Sequence, residues 1–260
     1  MNHSFIDEHS HIDSALHRLD PRIKIVSFVA LLFFIIFCRP DSLLSFALYS
    51  LLILLLIGIS KIPVYYILKR CLIVVPFILM TSLFLLFGNQ GATITLFHIG
   101  NFQINVAAVG WTMFLSVMIK GLLSVLCLTL LTASTPFPQL LAALENMKFP
   151  KLIIMILSFM YRYIFLIEDE AMKMWRAMKS RSAGGSCWLH LKAIANMIGI
   201  LFIRSYERGE TVYLAMCSRG FDGTLKRTYH FDLRKHDLAF LFNIFIVLIS
   251  ITILDNFLGR

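Results

Sequence analysis

Apolar runs of up to about 20 residues recur along this 260-residue chain, and at about 1.5 Å per residue each can cross a hydrocarbon core as a helix. With 58% of its residues hydrophobic and 15% charged, the chain reads as an all-α, polytopic integral membrane protein. It has about five transmembrane helices and long helices on the cytoplasmic side. The spans fall at Ile23 to Phe37, Leu43 to Ile59, Val64 to Phe87, Val106 to Leu131 and Leu238 to Leu254. The opening MNHSFIDEHSHID has no basic start followed by an apolar run and a small-residue cleavage site, so the first span itself is expected to direct insertion.

A formal net charge of +9 could suggest a nucleic-acid partner, but in a membrane chain the position of each Lys and Arg matters more than their sum. Of 24 basic residues, 15 lie between 135 and 236, whereas GNQGATITLFHIGNFQIN after the third span has none. The positive-inside bias therefore places the N-terminus and the 135 to 236 region in the cytoplasm, in a multi-pass protein of the cell membrane. Nucleic acid is not an expected partner. The resulting division is a cytoplasmic segment 1–22, spans one to four at 23–133, a cytoplasmic or interfacial region 134–236, and the last span with the C-terminus at 237–260. Two apolar stretches inside the third part, 151 to 167 and 193 to 203, read as helices at the cytoplasmic face, against the other spans or lipid.

Within that region one short phrase occurs twice. AMKSRSAGG at 177 to 185 and AMCSRGFDG at 215 to 223 share Ala, Met, Ser, Arg and a later Gly at a spacing of 38 residues. The helices leading into them repeat as well: Ala171, Met174, Trp175 and Met178 form an apolar stripe whose counterpart is Gly209, Val212, Tyr213 and Met216. Glycines at 184, 185 and 220 suit helix C-termini, which places Arg181 and Arg219 in exposed last turns. Each copy alone would be an ordinary cap; two copies with matched stripes suggest a pair of docking tips. An Arg fork can grip a carboxylate through two hydrogen bonds, so a partner that is itself paired and offers acidic grooves fits them.

Catalytic chemistry has no obvious home. There is no GxxxxGK[ST] to cradle a nucleotide phosphate, and no GxSxG or HExxH marks a hydrolase. His9, His11, Asp13 and His17 offer metal-ligand types without a closed spacing pattern, and read as a solvated or interfacial cluster. The five cysteines have no CxxC spacing. In LDPRIK, Asp20 is placed to cap the first span and Pro21 to open it, leaving Arg22 and Lys24 at the lipid headgroups. Pro136, Pro138 and Pro150 frame a short amphipathic helix. Arg162, between two tyrosines, suits a snorkelling position. Lys120 lies near the middle of the fourth span, where a charge needs a partner. It is a functional candidate, and equally a candidate for structural pairing with a backbone carbonyl or a carboxylate.

LHRLDPRIK at 16 to 24, STPFPQLLAAL at 134 to 144, FMYRYIFLIEDEAMKMWRAMKSR at 159 to 181 and CSRGFDG at 217 to 223 occur in this order. Together they resemble the transmembrane T component of energy-coupling factor transporters, in the CbiQ branch associated with cobalt or nickel uptake. The resemblance implies a non-catalytic subunit that binds two ABC-type ATPase subunits through two long coupling helices, and also a CbiM-like membrane subunit that captures the substrate. ATP would be bound by the partners and no cofactor by this chain. On that resemblance the signatures map to Ser180, Arg181 and Ser182, and to Ser218, Arg219 and Gly220. The first departs from the family pattern in having Ser at 182 where Gly is usual. A self-sufficient metal carrier or channel, and an intramembrane enzyme, are the competing readings.

Overall fold

The computed structural model describes residues 14, 16–17, 19–40, 42–88, 93–99, 102–181, 187–223 and 235–258. Their order is α1 (Pro21–Phe37), α2 (Leu43–Ser60), α3 (Val64–Gly88), β1 (Thr93–Ile99), β2 (Phe102–Ala107), α4 (Ala108–Ser134), α5 (Phe137–Asn146), α6 (Lys151–Arg181), α7 (Cys187–Cys217) and α8 (Lys235–Leu258). The fold is helical, as the sequence implies. To this it adds a two-stranded antiparallel hairpin between α3 and α4, with a register irregularity between Thr95 and Phe97. The described residues divide into two compact units, one within 14–140 and 235–258 and the other within 141–223.

In the first unit α1, α2, α3, α4 and α8 form a bundle. Buried positions recur at helical spacing: Lys24, Phe28, Leu31 and Ile35 on α1; Phe46, Tyr49, Ile53 and Leu56 on α2; Leu123, Cys127 and Leu130 on α4; Ile244, Leu248 and Ile251 on α8. The opposite faces are equally apolar, with Phe37, Leu55 and Phe257 exposed. That distribution suits lipid rather than water. Because lipid tails are as apolar as leucine, helix association there depends on close packing and hydrogen bonds rather than on burial. Gly121 illustrates the first: a Cβ at that position would stand 3.0 Å from Ile78 of α3, so its absence lets α3 and α4 approach.

Hydrogen bonds set the directions of the helices. Asp20 accepts from the Arg22 N–H at 2.9 Å, and Pro21 opens α1, as the LDPRIK reading anticipates. Lys24 Nζ donates to the Ser134 carbonyl at the end of α4, while Lys120 Nζ meets the other end of α1, so α1 and α4 are antiparallel. Arg70 of α3 donates to Thr132 Oγ1 at 2.9 Å, again antiparallel to α4. The backbone N–H of Asp20 points to Asp237 in the first turn of α8, and Ser45 near the start of α2 donates to Asp255 near the end of α8. Thus α4 ends and α8 begins at the same end of the bundle.

Five described helical segments are long and apolar enough to cross a membrane: Leu43–Ser60, Val64–Phe84, Gly110–Ser134, Cys187–Cys217 and Lys235–Phe257. This set and the sequence reading differ at two helices. At 17 residues α1 falls outside this set, although about 17 residues already span a hydrocarbon core. Conversely α7 is included with the lowest mean hydropathy of the five, 1.3, and carries Arg204, Glu207, Arg208 and Glu210 in its second half. Length admits α7; its charges argue for an interfacial helix.

α5, within which the division between the units falls, and α6 are strongly one-sided. The end of α5 is a Schellman turn: the Phe149 N–H reaches the Leu144 carbonyl, the Lys148 N–H reaches Glu145, and Lys148 takes φ 64°. Pro150 then stops any continuation and α6 starts at once.

Candidate functional site

The two Ser-Arg phrases lie at the ends of two helices of equal length. Both α6 and α7 have 31 residues, each about 46 Å long. They cross where Glu170 of α6 forms an ion pair with Arg204 of α7, and Lys173 lies 3.7 Å from the other carboxylate oxygen. Arg204 is 54% exposed, so this pair is worth no more than about 1 kcal/mol. It registers the crossing rather than holding it. On one side of the crossing a hollow of about 570 Å³ is lined by Asp169, Glu170, Lys173, Arg204, Glu207 and Arg208. An apolar hollow of about 290 Å³ lies beside Phe159, Met160, Tyr163 and Gly209.

The two ends share local geometry. Ser180 Oγ donates to the Ala177 carbonyl at 3.0 Å, and Ser218 Oγ donates to the Ala215 carbonyl at 2.9 Å. In both copies the serine therefore turns back on its own helix. Arg181 and Arg219 are exposed, and no hydrogen bond joins either guanidinium to a described residue. Beyond Arg219 the chain closes a Schellman turn: the Phe221 N–H donates to the Met216 carbonyl at 3.1 Å and the Gly220 N–H to the Cys217 carbonyl at 3.0 Å. Gly220 has φ 78°, the left-handed conformation that a Cβ disfavours. Ser182, Gly184 and Gly185 of the first copy lie outside the described residues.

The stripes divide unequally. Met174, Met178, Val212 and Met216 are half-buried, whereas Trp175 is 42% and Tyr213 57% exposed. These two aromatics occupy equivalent places, each six residues before its Arg, and each remains available on the surface of its helix. Their exposure was not anticipated from the stripe pattern, which cannot say how wide the buried arc is.

Lys120 is paired within the bundle. Its ammonium donates to the Ile36 carbonyl at 2.9 Å and the Cys38 carbonyl at 2.6 Å, closing the C-terminus of α1 with a cation. Of the two roles its position allows, the structure shows pairing with backbone carbonyls. Lys24 differs from expectation: instead of sitting at the headgroups it is 1% exposed. Its place on the buried arc with Phe28 and Leu31, and two carbonyl acceptors, account for that. His9, His11 and Asp13 lie outside the described residues; His17 Nδ1 is 2.6 Å from Ser14 Oγ. Among the described residues no three His, Cys, Asp or Glu side chains gather as a metal site.

A family model described as "CbiQ: Cobalt transport protein" matches residues 13–230. An uncharacterized protein of Methanocaldococcus jannaschii is 26% identical, over 97% of this chain and 87% of its own length. The energy-coupling factor transporter transmembrane protein EcfT of Listeria innocua is 30% identical, over 95% of this chain and 93% of its own. A putative fused cobalt transport protein, CbiMQ of Methanocorpusculum labreanum, is 30% identical over 54% of this chain and 24% of its own length.

Proposed function

This chain belongs to the CbiQ family of cobalt transport proteins, and from that we propose that it is the transmembrane coupling subunit of an energy-coupling factor importer. It transmits ATP-driven closure of two ABC-type ATPase subunits to a separate membrane subunit that captures the substrate. Cobalt is the proposed cargo and nickel the alternative. The chain itself performs no catalysis; ATP is bound by the ATPase partners. The fused relative, whose name joins CbiM to CbiQ, supports a neighbouring membrane partner of that kind.

One observation carries the reading: two helices of equal length end in the same Ser-Arg arrangement, with both arginines exposed. Two like hooks suit a dimeric partner. Closure of the ATPase pair would press on the tips, shift α6 against α7 at the lightly held Glu170–Arg204 crossing, and move the membrane partner. The positions of the helix ends in the bundle and the distribution of charge support one sidedness. Because α4 ends where α8 begins, the segment between them crosses the membrane an even number of times. Two crossings would put Lys173, Arg176, Lys179 and Arg181 outside, against the positive-inside bias; none keeps both tips and the N-terminus in the cytoplasm.

The test is an Arg181→Ala, Arg219→Ala double variant, co-purified with its candidate ATPases and assayed for cobalt(II) and nickel(II) uptake. Each contact, if desolvated in the complex, should lose about 2–5 kcal/mol, so assembly or uptake should collapse. Undiminished assembly and uptake would defeat the reading.

A further inference from the structure

The chain leaves the bundle after α4 and returns to it at α8, and both junctions meet one buried polar knot. Lys24 Nζ donates to the carbonyl of Ser134, the last residue of α4, and to the His17 carbonyl, each at 3.1 Å. Asp20 caps α1 while its own N–H points to Asp237 Oδ1, at 3.4 Å, in the first turn of α8. Asp20, Lys24 and Asp237 are all buried. The helix start does not require this. Asp20 alone supplies the cap, and position 24 lies on the arc that Phe28, Leu31 and Ile35 fill with apolar side chains.

A buried ionic cluster is often replaceable by well-packed apolar groups without loss of stability, and its best-attested use is to fix one geometry against alternatives. Here the geometry it fixes is the meeting of three helix ends. On the outgoing side Pro136 follows two residues after the Ser134 carbonyl, so the knot holds the last rigid turn before a break.

Resting on the coupling reading above, we propose that Lys24, with Asp20 and Asp237, is the joint that transfers displacement of the 135–234 segment to the bundle. Lys24 acts as a positioning residue by tying the end of α4 to α1, and the Asp20 N–H to Asp237 contact beside it ties the start of α8 to the same helix. Movement at either junction then displaces the bundle as one body. Without the tie, the two junctions yield separately and the movement is absorbed between them.

The test uses the full chain co-expressed with the ATPase and substrate-capturing subunits. Lys24→Met is combined with Asp237→Asn, so that the formal charge of the knot is unchanged by removal of the cation, and Lys24→Arg serves as the conservative variant. Three quantities are read: co-purification, ATP hydrolysis, and cobalt(II) uptake per ATP hydrolysed. The expected result is retained assembly and hydrolysis with uptake per ATP reduced about tenfold or more, and recovered in part by Lys24→Arg. Uptake per ATP within about twofold of the parent overturns the proposal, since a tie carrying the movement should cost more. So does a parallel fall of assembly, hydrolysis and uptake that Lys24→Arg and Asp237→Asn alone also produce, because that marks a purely structural group. If the parent chain itself neither binds ATPases nor supports uptake, the coupling reading fails instead.

Discussion

Lys120 Nζ sits between two carbonyls at the end of α1, and that placement determines what replacing it will do. Removing the ammonium leaves the Ile36 and Cys38 carbonyls without the donor described here, at about 1.5–3 kcal/mol for each charge-assisted bond lost. Lys120→Met should therefore lower the unfolding temperature in detergent while the tips continue to bind ATPases; an unchanged melting profile would contradict the cap. Its position was readable in the sequence, but the choice between a functional charge and a tie was not, because the acceptors lie more than 80 residues away. Lys24 was misplaced for the same reason: its acceptor on α4 is 110 residues distant. Gly220 is the opposite case, where local chemistry sufficed. A Cβ there meets nothing within 4 Å, so the cost of Gly220→Ala is conformational alone, about 1–2 kcal/mol for the left-handed residue. Hydrogen exchange at Gly220 and Phe221 should quicken, with α7 otherwise intact; unchanged protection would show that the turn does not depend on glycine.

Between elements, α3 and α4 depend on a missing side chain. Gly121→Leu drives new atoms into Ile78, already 3.0 Å from an added Cβ, and overpacking of this kind costs about 1–3 kcal/mol. Gly58→Leu, with nothing within 4 Å, is the matched control. The first should reduce the detergent-stable fraction in fluorescence-detected size exclusion and the second should not; equal behaviour would mean that this approach is not tight. The helices themselves were largely readable, because Asp20–Pro21, Pro136 and Pro150 mark their starts and apolar runs mark their lengths. The hairpin was missed. Its signal is the Gly100–Asn101 pair between two β-prone runs, which is easily overlooked beside longer apolar segments. The paired helices α6 and α7 were anticipated from the repeat, yet the exposure of Trp175 and Tyr213 was not, since a stripe gives a direction without giving the width of the contact.

For the molecule as a whole, the chain leaves the helical bundle after α4, runs through α6 and α7, and re-enters the bundle at α8. Composition and charge were enough to identify a multi-pass membrane protein. Which apolar helices cross was harder to read. α1 is short for a span and α7 is the least apolar of the long helices, and the antiparallel pairing of α1 with α4 and the charges of α7 separate them. The most direct measurement is photo-cross-linking in the assembled transporter, with a photoreactive residue placed in turn at 181 and 219 and at exposed Trp111 as a reference. Capture of an ATPase chain from both 181 and 219, and not from 111, is the predicted result; failure of both tip positions to capture an ATPase in an intact, transport-competent complex would contradict it.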